Sequence, residues 1–276
     1  MKLMLKGKII SAILIICFCF GFVGFRTIKY LTRDKSSMMV VLAYHRIVKS
    51  EIKQKYYKNN QWVNDLGKFE QQMQYLYDNN YTTLSLDEYY DWYLGKKDYN
   101  TKRTCLITID DGDIENYYNV IPVLKKYNFK ATVFIVGSTI KDSVVWDETN
   151  PKQEFLTKEL LERIVVEYPN LEIQNHSYDL HHKTENGKSA IYSATKEMVK
   201  NDFEQMKIYN MKYMAYPYGY STKTYKEMAK QYGYRLAFSF AGPYVPSSRK
   251  DDPYEIRRVK INGQIGMWQF KQFLKV

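Results

Sequence analysis

The chain has 276 residues, of which 45% are hydrophobic and 16% aromatic, and this excludes wholesale disorder. It carries 41 basic and 30 acidic residues, for a formal charge of +11. Its three cysteines, two of them inside an apolar N-terminal run, exclude a disulfide-dense scaffold and a cysteine-based zinc finger.

Residues 9–25, IISAILIICFCFGFVGF, are free of charge. Lys2, Lys6 and Lys8 precede them, and Arg26 and Lys29 follow. At about 1.5 Å per residue such a run reaches roughly 25 Å, the short end of a membrane-spanning helix. No small-x-small cleavage site closes the run, which ends in Phe22, Val23 and Phe25. It therefore reads as an uncleaved signal-anchor. A secreted form follows only if the anchor is cut. The expected organisation is a cytoplasmic tip and anchor over 1–29, a linker over 30–37 and one catalytic domain over 38–276. The first 25 residues hold three Lys and no acid, which leaves 38 basic against 30 acidic residues in the rest. That excess suits an anionic wall or membrane surface. No dense Arg/Lys run or nucleic-acid motif is present, so nucleic acid is not an expected partner.

Met38–Ala43 is short, continuous and apolar, a buried strand with Tyr44 and His45 at its C-terminal end. Residues 48–63 are polar and aperiodic and read as a surface loop. Phe69, Met73 and Leu76 at i, i+4, i+7 predict a helix, and Ser85-Leu-Asp-Glu88 is a capping box that opens another. Strands and helices then alternate. Strands are expected over 104–109, 130–136, 171–174, 212–216, 235–240 and 256–261. Helices are expected over 115–127, 157–168 with Thr157 as cap, 192–209, 222–232 and 266–274. Such alternation predicts an α/β body, and six to seven units suggest a single barrel. Active residues then collect at the C-terminal ends of the strands. Cys105, inside one strand, reads as inert packing.

The four histidines are His45, His176, His181 and His182, and none falls on a helix face. His45 ends one strand and His176 follows another. Asp110-Asp111-Gly112 ends a third, and adjacent carboxylates after a buried strand are costly unless they are paired or bind metal. One Asp and two His with open positions suit a divalent transition metal. Either His181 or His182 supplies the second imidazole, and Asp179 is placed to orient a ligand from behind.

These residues resemble the motifs of NodB-type polysaccharide deacetylases, carbohydrate esterase family four. Thr108-Ile-Asp-Asp-Gly112 is similar to the first motif, His176-Ser-Tyr-Asp-Leu-His181 to the second and Ala215-Tyr-Pro-Tyr-Gly219 to the third, in order. The likeness spans roughly residues 38–262. Most members place three residues between the two histidines, whereas this chain has four. An Arg common upstream of the third motif has no equivalent near Tyr213, and no His follows His182 to supply the usual C-terminal motif. These departures resemble the poly-β-1,6-N-acetylglucosamine deacetylase branch, the IcaB and PgaB type, in which an N-terminal Tyr-His, here Tyr44-His45, takes over.

The resemblance implies a distorted (β/α) barrel of about seven strands and metal-dependent removal of acetyl groups from N-acetylglucosamine units. Asp111, His176 and His181 are the implied ligands of one divalent metal, zinc by default, with cobalt, nickel or iron compatible. Asp110 is the implied general base and His45 the general acid. Tyr218 supplies an oxyanion N–H, and Tyr216, Pro217, Gly219 and Tyr44 shape the substrate pocket. Trp146, Trp268, Asp142, Asp147 and the pair Arg257-Arg258 are further groove candidates. The expected partner is an N-acetylglucosamine polysaccharide, with poly-β-1,6-N-acetylglucosamine ahead of peptidoglycan and of a wall-polymer linkage unit. The enzyme is expected at the cell membrane with its catalytic domain outside. Readings of other classes are a non-catalytic wall-glycan-binding protein and a metal phosphoesterase, which would want more ligands and a second metal.

Overall fold

A computed structural model of the chain describes residues 37–149, 152–240 and 245–275. The expected anchor and linker lie outside the described residues, apart from Ser37. No helix among the described residues is long and apolar enough to cross a membrane. Met38–Val276 forms one compact unit.

Seven staves make a nearly closed barrel. They are β1 (Met38–Tyr44), β5 (Thr104–Ile109), β6 (Ala131–Ile135), β7 (Leu171–Asn175), β8 (Tyr213–Ala215), β9 (Leu236–Ser239) and a split last stave. Neighbours in that order pair in parallel. The last stave is β11 (Ile256–Arg257), paired with β9, followed by β12 (Val259–Lys260), paired with β1, and the short strands β4 (Thr82–Thr83) and β10 (Ser247–Ser248) pair with β5 and β1. One continuous strand was expected over 256–261. Instead the chain crosses at Arg258 from one edge of the sheet to the other and brings the two edges together. Arg258 N still donates to Ser239 O at 3.2 Å, and Ile261 N to Ala43 O at 2.8 Å.

Period-two alternation decides what enters the barrel. Met39 and Val41, Leu106, Phe134, Tyr213 and Ala215, Leu236 and Phe238, and Ile256 all pack into one interior cluster. The helix α3 (Leu86–Tyr93) plugs it with Tyr89 and Trp92. The helix expected at Phe69, Met73 and Leu76 is α2 (Leu66–Asp78), Ser85 opens α3 with the expected capping box, and Thr157 caps α5 (Lys158–Glu167). Residues of the opposite parity, such as Met214 and Tyr216, pack outside against α6 (Lys196–Met206) and α7 (Lys223–Gln231). Cys105 is buried, and burial pushes its thiol up to about 12, so it packs as an inert group.

Residues 48–63 depart from the expected loop. Ile47–Val48 (β2) pairs with Asn64–Asp65 (β3), and Ser50–Tyr56 is a helix, α1. Val48, Ile52 and Val63 form a small cluster of their own with Tyr57 against it. The apolar residues that form this cluster are spread too widely over that stretch to show periodicity. A two-turn helix needs no more, because tertiary packing holds it. The expected helix over 115–127 begins as a π-turn at Asn116–Val120 and becomes regular as α4 (Ile121–Tyr127).

Phe238 is fully buried where the interior cluster meets Tyr89 and Phe134. Its replacement by Ala is expected to lower the unfolding free energy by about 3–5 kcal/mol, read by urea denaturation. A loss of under about 1 kcal/mol would mean that the interior is not packed as described.

Candidate active site

The interior columns turn polar toward the C-terminal ends of the strands. On β5 the column runs Leu106, Thr108, Asp110. At the last stave it runs Ile256, Arg258, Lys260. Arg258 and Asp110 meet inside, with Nη1–Oδ1 at 2.6 Å and Nη2–Oδ2 at 2.8 Å. Both residues are almost fully buried. Thr108 Oγ1 accepts a further bond from Arg258 Nη1 at 3.2 Å. Burial alone would raise the Asp110 carboxyl. The Arg258 guanidinium, its hydrogen bonds and the nearby His176 outweigh burial and hold the group well below the usual carboxylate range. The expectation of the pair Arg257-Arg258 as groove residues is corrected by the structure. Arg257 is bound to Asp251 and Arg258 to Asp110.

Asp111, His176 and His181 offer one ligand atom each, all within 4.8 Å of one another. Asp111 Oδ1 lies 3.2 Å from His181 Nε2 and 3.6 Å from His176 Nε2. That oxygen is buried and accepts no hydrogen bond. An orphaned carboxylate oxygen facing two imidazole nitrogens is a costly arrangement for the protein alone and fits a cation. His176 Nδ1 is 2.9 Å from Ala215 O. A carbonyl only accepts, so Nδ1 carries the proton and Nε2 presents its lone pair. Burial lowers the His176 pKa to about 4, against the pull of Asp110, which keeps the ring neutral.

The backbone is strained where the candidate ligands sit. Six non-glycine residues among those described have positive φ, and three of them are Asn, which tolerates it. The other three are Asp111 (φ 77), Ser177 (φ 78) and Tyr218 (φ 56). Asp111 is one of the three candidate ligands, Ser177 follows another, and the Tyr218 ring stacks on His181 with centroids 4.5 Å apart. Such strain persists only where the surroundings over-determine it. Gly112 supplies part of that fit, since a Cβ there would lie 2.9 Å from Ile135 Cγ2.

The loop between His176 and His181 turns around a carboxylate. Asp202 Oδ1 accepts the N–H groups of Tyr178, Asp179 and Leu180 at 3.0, 2.8 and 3.2 Å. Its Oδ2 accepts Tyr225 Oη at 3.0 Å. This anchor was missed, although Asp202 sits on the buried stripe Val199, Phe203, Met206 of its helix. A carboxylate on an apolar helical stripe was the available signal.

His45 stands at the end of β1, its Nε2 3.8 Å from Asp110 Oδ2. Burial lowers its pKa, opposed by Asp111 and Asp110 and reinforced by Arg258. Its neighbour Arg46 is clamped to Glu115 by Nε at 2.9 Å and Nη2 at 2.6 Å, which fixes the turn that presents His45.

Other expectations are corrected. Tyr44 shares the outward parity of Val40 and Leu42, packs edge-on against Phe69 and bonds Gln72 through its hydroxyl, so it does not shape a pocket. Tyr216 is buried in the outer layer and bonds Tyr254 O. Pro217 is buried beneath the Tyr218 turn, and Gly219 closes it at φ 74 against Phe240. His182 is exposed, with Nδ1 2.7 Å from Asp179 O, and is outside the ligand cluster. Asp179 accepts from Ser138 rather than orienting a ligand. Asp142 pairs with Lys158, and Asp147 accepts from Thr149. Trp146 stacks on Tyr118, and Trp268 is 73% exposed on the last helix, α8 (Met267–Phe273).

The family model for polysaccharide deacetylases matches residues 97–237. A poly-beta-1,6-N-acetyl-D-glucosamine N-deacetylase of Staphylococcus aureus (strain MSSA476) is 26% identical over 242 residues, covering 83% of this chain and 80% of its own. Two solved structures share the fold. The Streptococcus pyogenes deacetylase PplD in complex with acetate matches with a TM-score of 0.69 at 21% identity, over 87% of this chain and 99% of that one. IcaB from Ammonifex degensii matches with a TM-score of 0.67 at 22% identity, over 86% and 96%.

Replacing Arg258 with Ala leaves a buried carboxylate without its partner, and a stability loss of about 3–5 kcal/mol is expected at neutral pH. The depressed Asp110 pKa stabilises the fold above the unfolded value of about 3.9, and that contribution fades as pH falls further. The loss should therefore shrink in acid. The double variant Asp110→Asn, Arg258→Met should recover much of it. Denaturation of wild type and the two variants against pH decides, and equal stability of wild type and Arg258→Ala at pH 7 would refute the account.

Proposed function

The chain belongs to the polysaccharide deacetylase family and is an N-deacetylase, a hydrolase, and on that premise we propose how its own residues perform the reaction and on which polymer. The observation that carries the reading is the placement of Asp110 and His45 beside the three-ligand cluster of Asp111, His176 and His181. A divalent metal bound there, zinc by default, would polarise the acetamide carbonyl and lower the pKa of water.

Asp110, kept ionised by Arg258, takes the proton of the attacking water. Asp111 stays with the ligand set, so the two adjacent carboxylates divide base from ligand. The Tyr218 N–H, presented by the left-handed turn, faces the negative charge that develops on the carbonyl oxygen. His45 delivers a proton to the departing nitrogen, which leaves as an amine only when protonated. Acetate and a glucosamine unit remain.

Poly-β-1,6-N-acetylglucosamine is the proposed substrate. Supporting it are the S. aureus relative, which is named for that polymer, the four residues between the histidine ligands and the acid at the end of β1. The proposed location is the outer face of the cell membrane, with residues 9–25 as anchor. The polymer would then be met as it leaves the cell.

Acetate release from β-1,6 and β-1,4 N-acetylglucosamine oligomers by the purified protein tests this reading. Release is expected from the β-1,6 series, with loss on chelation and return on adding zinc. Release from the β-1,4 series alone would overturn the substrate, and chelator-insensitive release would overturn the metal. Asp110→Asn should lower turnover by about 10²–10⁴-fold, the usual weight of a general base, while one metal per chain remains bound. His45→Ala should cost turnover on the same scale without changing metal content. Metal lost from either variant would reassign that residue to the ligand set.

A further inference from the structure

Trp62 is a large apolar side chain left 41% exposed, and it stands directly beside His45, with ring centroids 5.0 Å apart and planes at 60°. Its loop is held from several sides. Lys53, almost fully buried, donates its ammonium to Tyr57 O at 2.6 Å and Asn60 O at 2.7 Å. Asn60 Oδ1 accepts Trp62 N at 3.0 Å. Gly263 N donates to Gln61 O at 2.8 Å, and a Cβ on Gly263 would lie 2.4 Å from Val63 O. An exposed Trp on a slack loop would be unremarkable, but here buried donors and a close backbone contact fix it in place.

A cation accompanies it. Lys260 Nζ lies 4.5 Å from the Trp62 ring centre and 5.0 Å from that of Phe240. Lys260 is partly buried, and its ammonium has no carboxylate within ion-pair distance among the described residues. Phe240 in turn stacks with His45 at 6.1 Å. The mouth of the barrel next to His45 thus presents a fixed aromatic surface and an ammonium ready to donate. The C–H face of a pyranose stacks on the first, and a ring hydroxyl or glycosidic oxygen accepts from the second.

We propose that Trp62 and Lys260 form a sugar subsite on the leaving-amine side of the site, binding a hexosamine ring of the polymer. The placement on that side rests on His45 acting as the proton donor. Trp62 acts here as a binding residue, since the chemistry stays with Asp110, His45 and the ligand set.

Titration calorimetry with fully deacetylated β-1,6 and β-1,4 glucosamine oligomers tests the subsite without turnover. Trp62→Ala should weaken binding of the series that wild type prefers by about tenfold, the loss of one aromatic anchor, and Trp62→Phe should restore most of it. Lys260→Met should weaken it as well. In turnover, the Trp62→Ala loss should fall on KM rather than kcat. Unchanged binding by a folded Trp62→Ala would overturn the proposal, and so would wild type that binds neither series. A kcat loss with unchanged KM and a shifted pH profile would also overturn it, because Trp62 would then act by packing His45. Failure of wild type to release acetate would count against the reaction above, while the calorimetry still decides the subsite.

Discussion

The buried pair of Asp110 and Arg258 is the constraint on which the rest of the site depends. It joins the end of the first motif strand to the point where the last stave crosses between sheet edges. A charge pair in a barrel interior is a poor source of net stability, because desolvation consumes most of the Coulombic gain. What it provides is register. Arg258 satisfies Asp110 only when β11 lies on β9 and β12 lies on β1, so the same bond that keeps the carboxylate ionised closes the barrel around it. An apolar pair of similar volume would pack as well and would leave no charge at the mouth.

The ligand cluster extends that frame rather than standing apart from it. His176 and Asp110 follow strands on either side of β6, with Nε2 to Oδ2 at 3.9 Å. From there the chain reaches Asp111, Ser177 and Tyr218 only through left-handed backbone. Each strained position has its own restraint. Gly112 packs on Ile135, Asn175 Oδ1 accepts Ser177 N at 2.6 Å, and Gly219 lies against Phe240. Positions set this way depend little on side-chain freedom, which suits three groups placed to converge on one point.

Much of this was legible in the sequence. Continuous apolar strands alternating with capped helices gave the barrel, and carboxylates or histidines at strand ends gave Asp110, Asp111, His176 and His45. What failed were cases where parity had to be carried through. Tyr44 is one residue before His45 and Tyr216 one before Pro217, yet a step of one in a strand reverses the face. Both rings therefore pack outward, against Phe69 and Tyr225. The same parity places Arg258 two residues after interior Ile256. It was obscured because the stave splits into two-residue halves. Asp202 was legible as a carboxylate on an apolar helical stripe. Trp62 was not, because its position comes from tertiary contacts of Lys53 and Gly263 that no local pattern encodes.

Two groups in the proposed reaction both have a lowered proton affinity, by causes that can be separated. Asp110 is buried, yet a guanidinium at bonding distance overrides burial, so it rests as an anion able to accept a proton. His45 has no such partner at bonding distance. Burial lowers its affinity for a proton, and the two aspartates only partly restore it. A proton on His45 is therefore held less tightly than on a free imidazole, whereas Asp110 stays ionised. If Arg258 lay beside His45 instead, the imidazole would be starved of its proton and the carboxylate would protonate in its buried pocket. The division of labour between base and acid thus follows from which of the two the crossing strand delivers its arginine to.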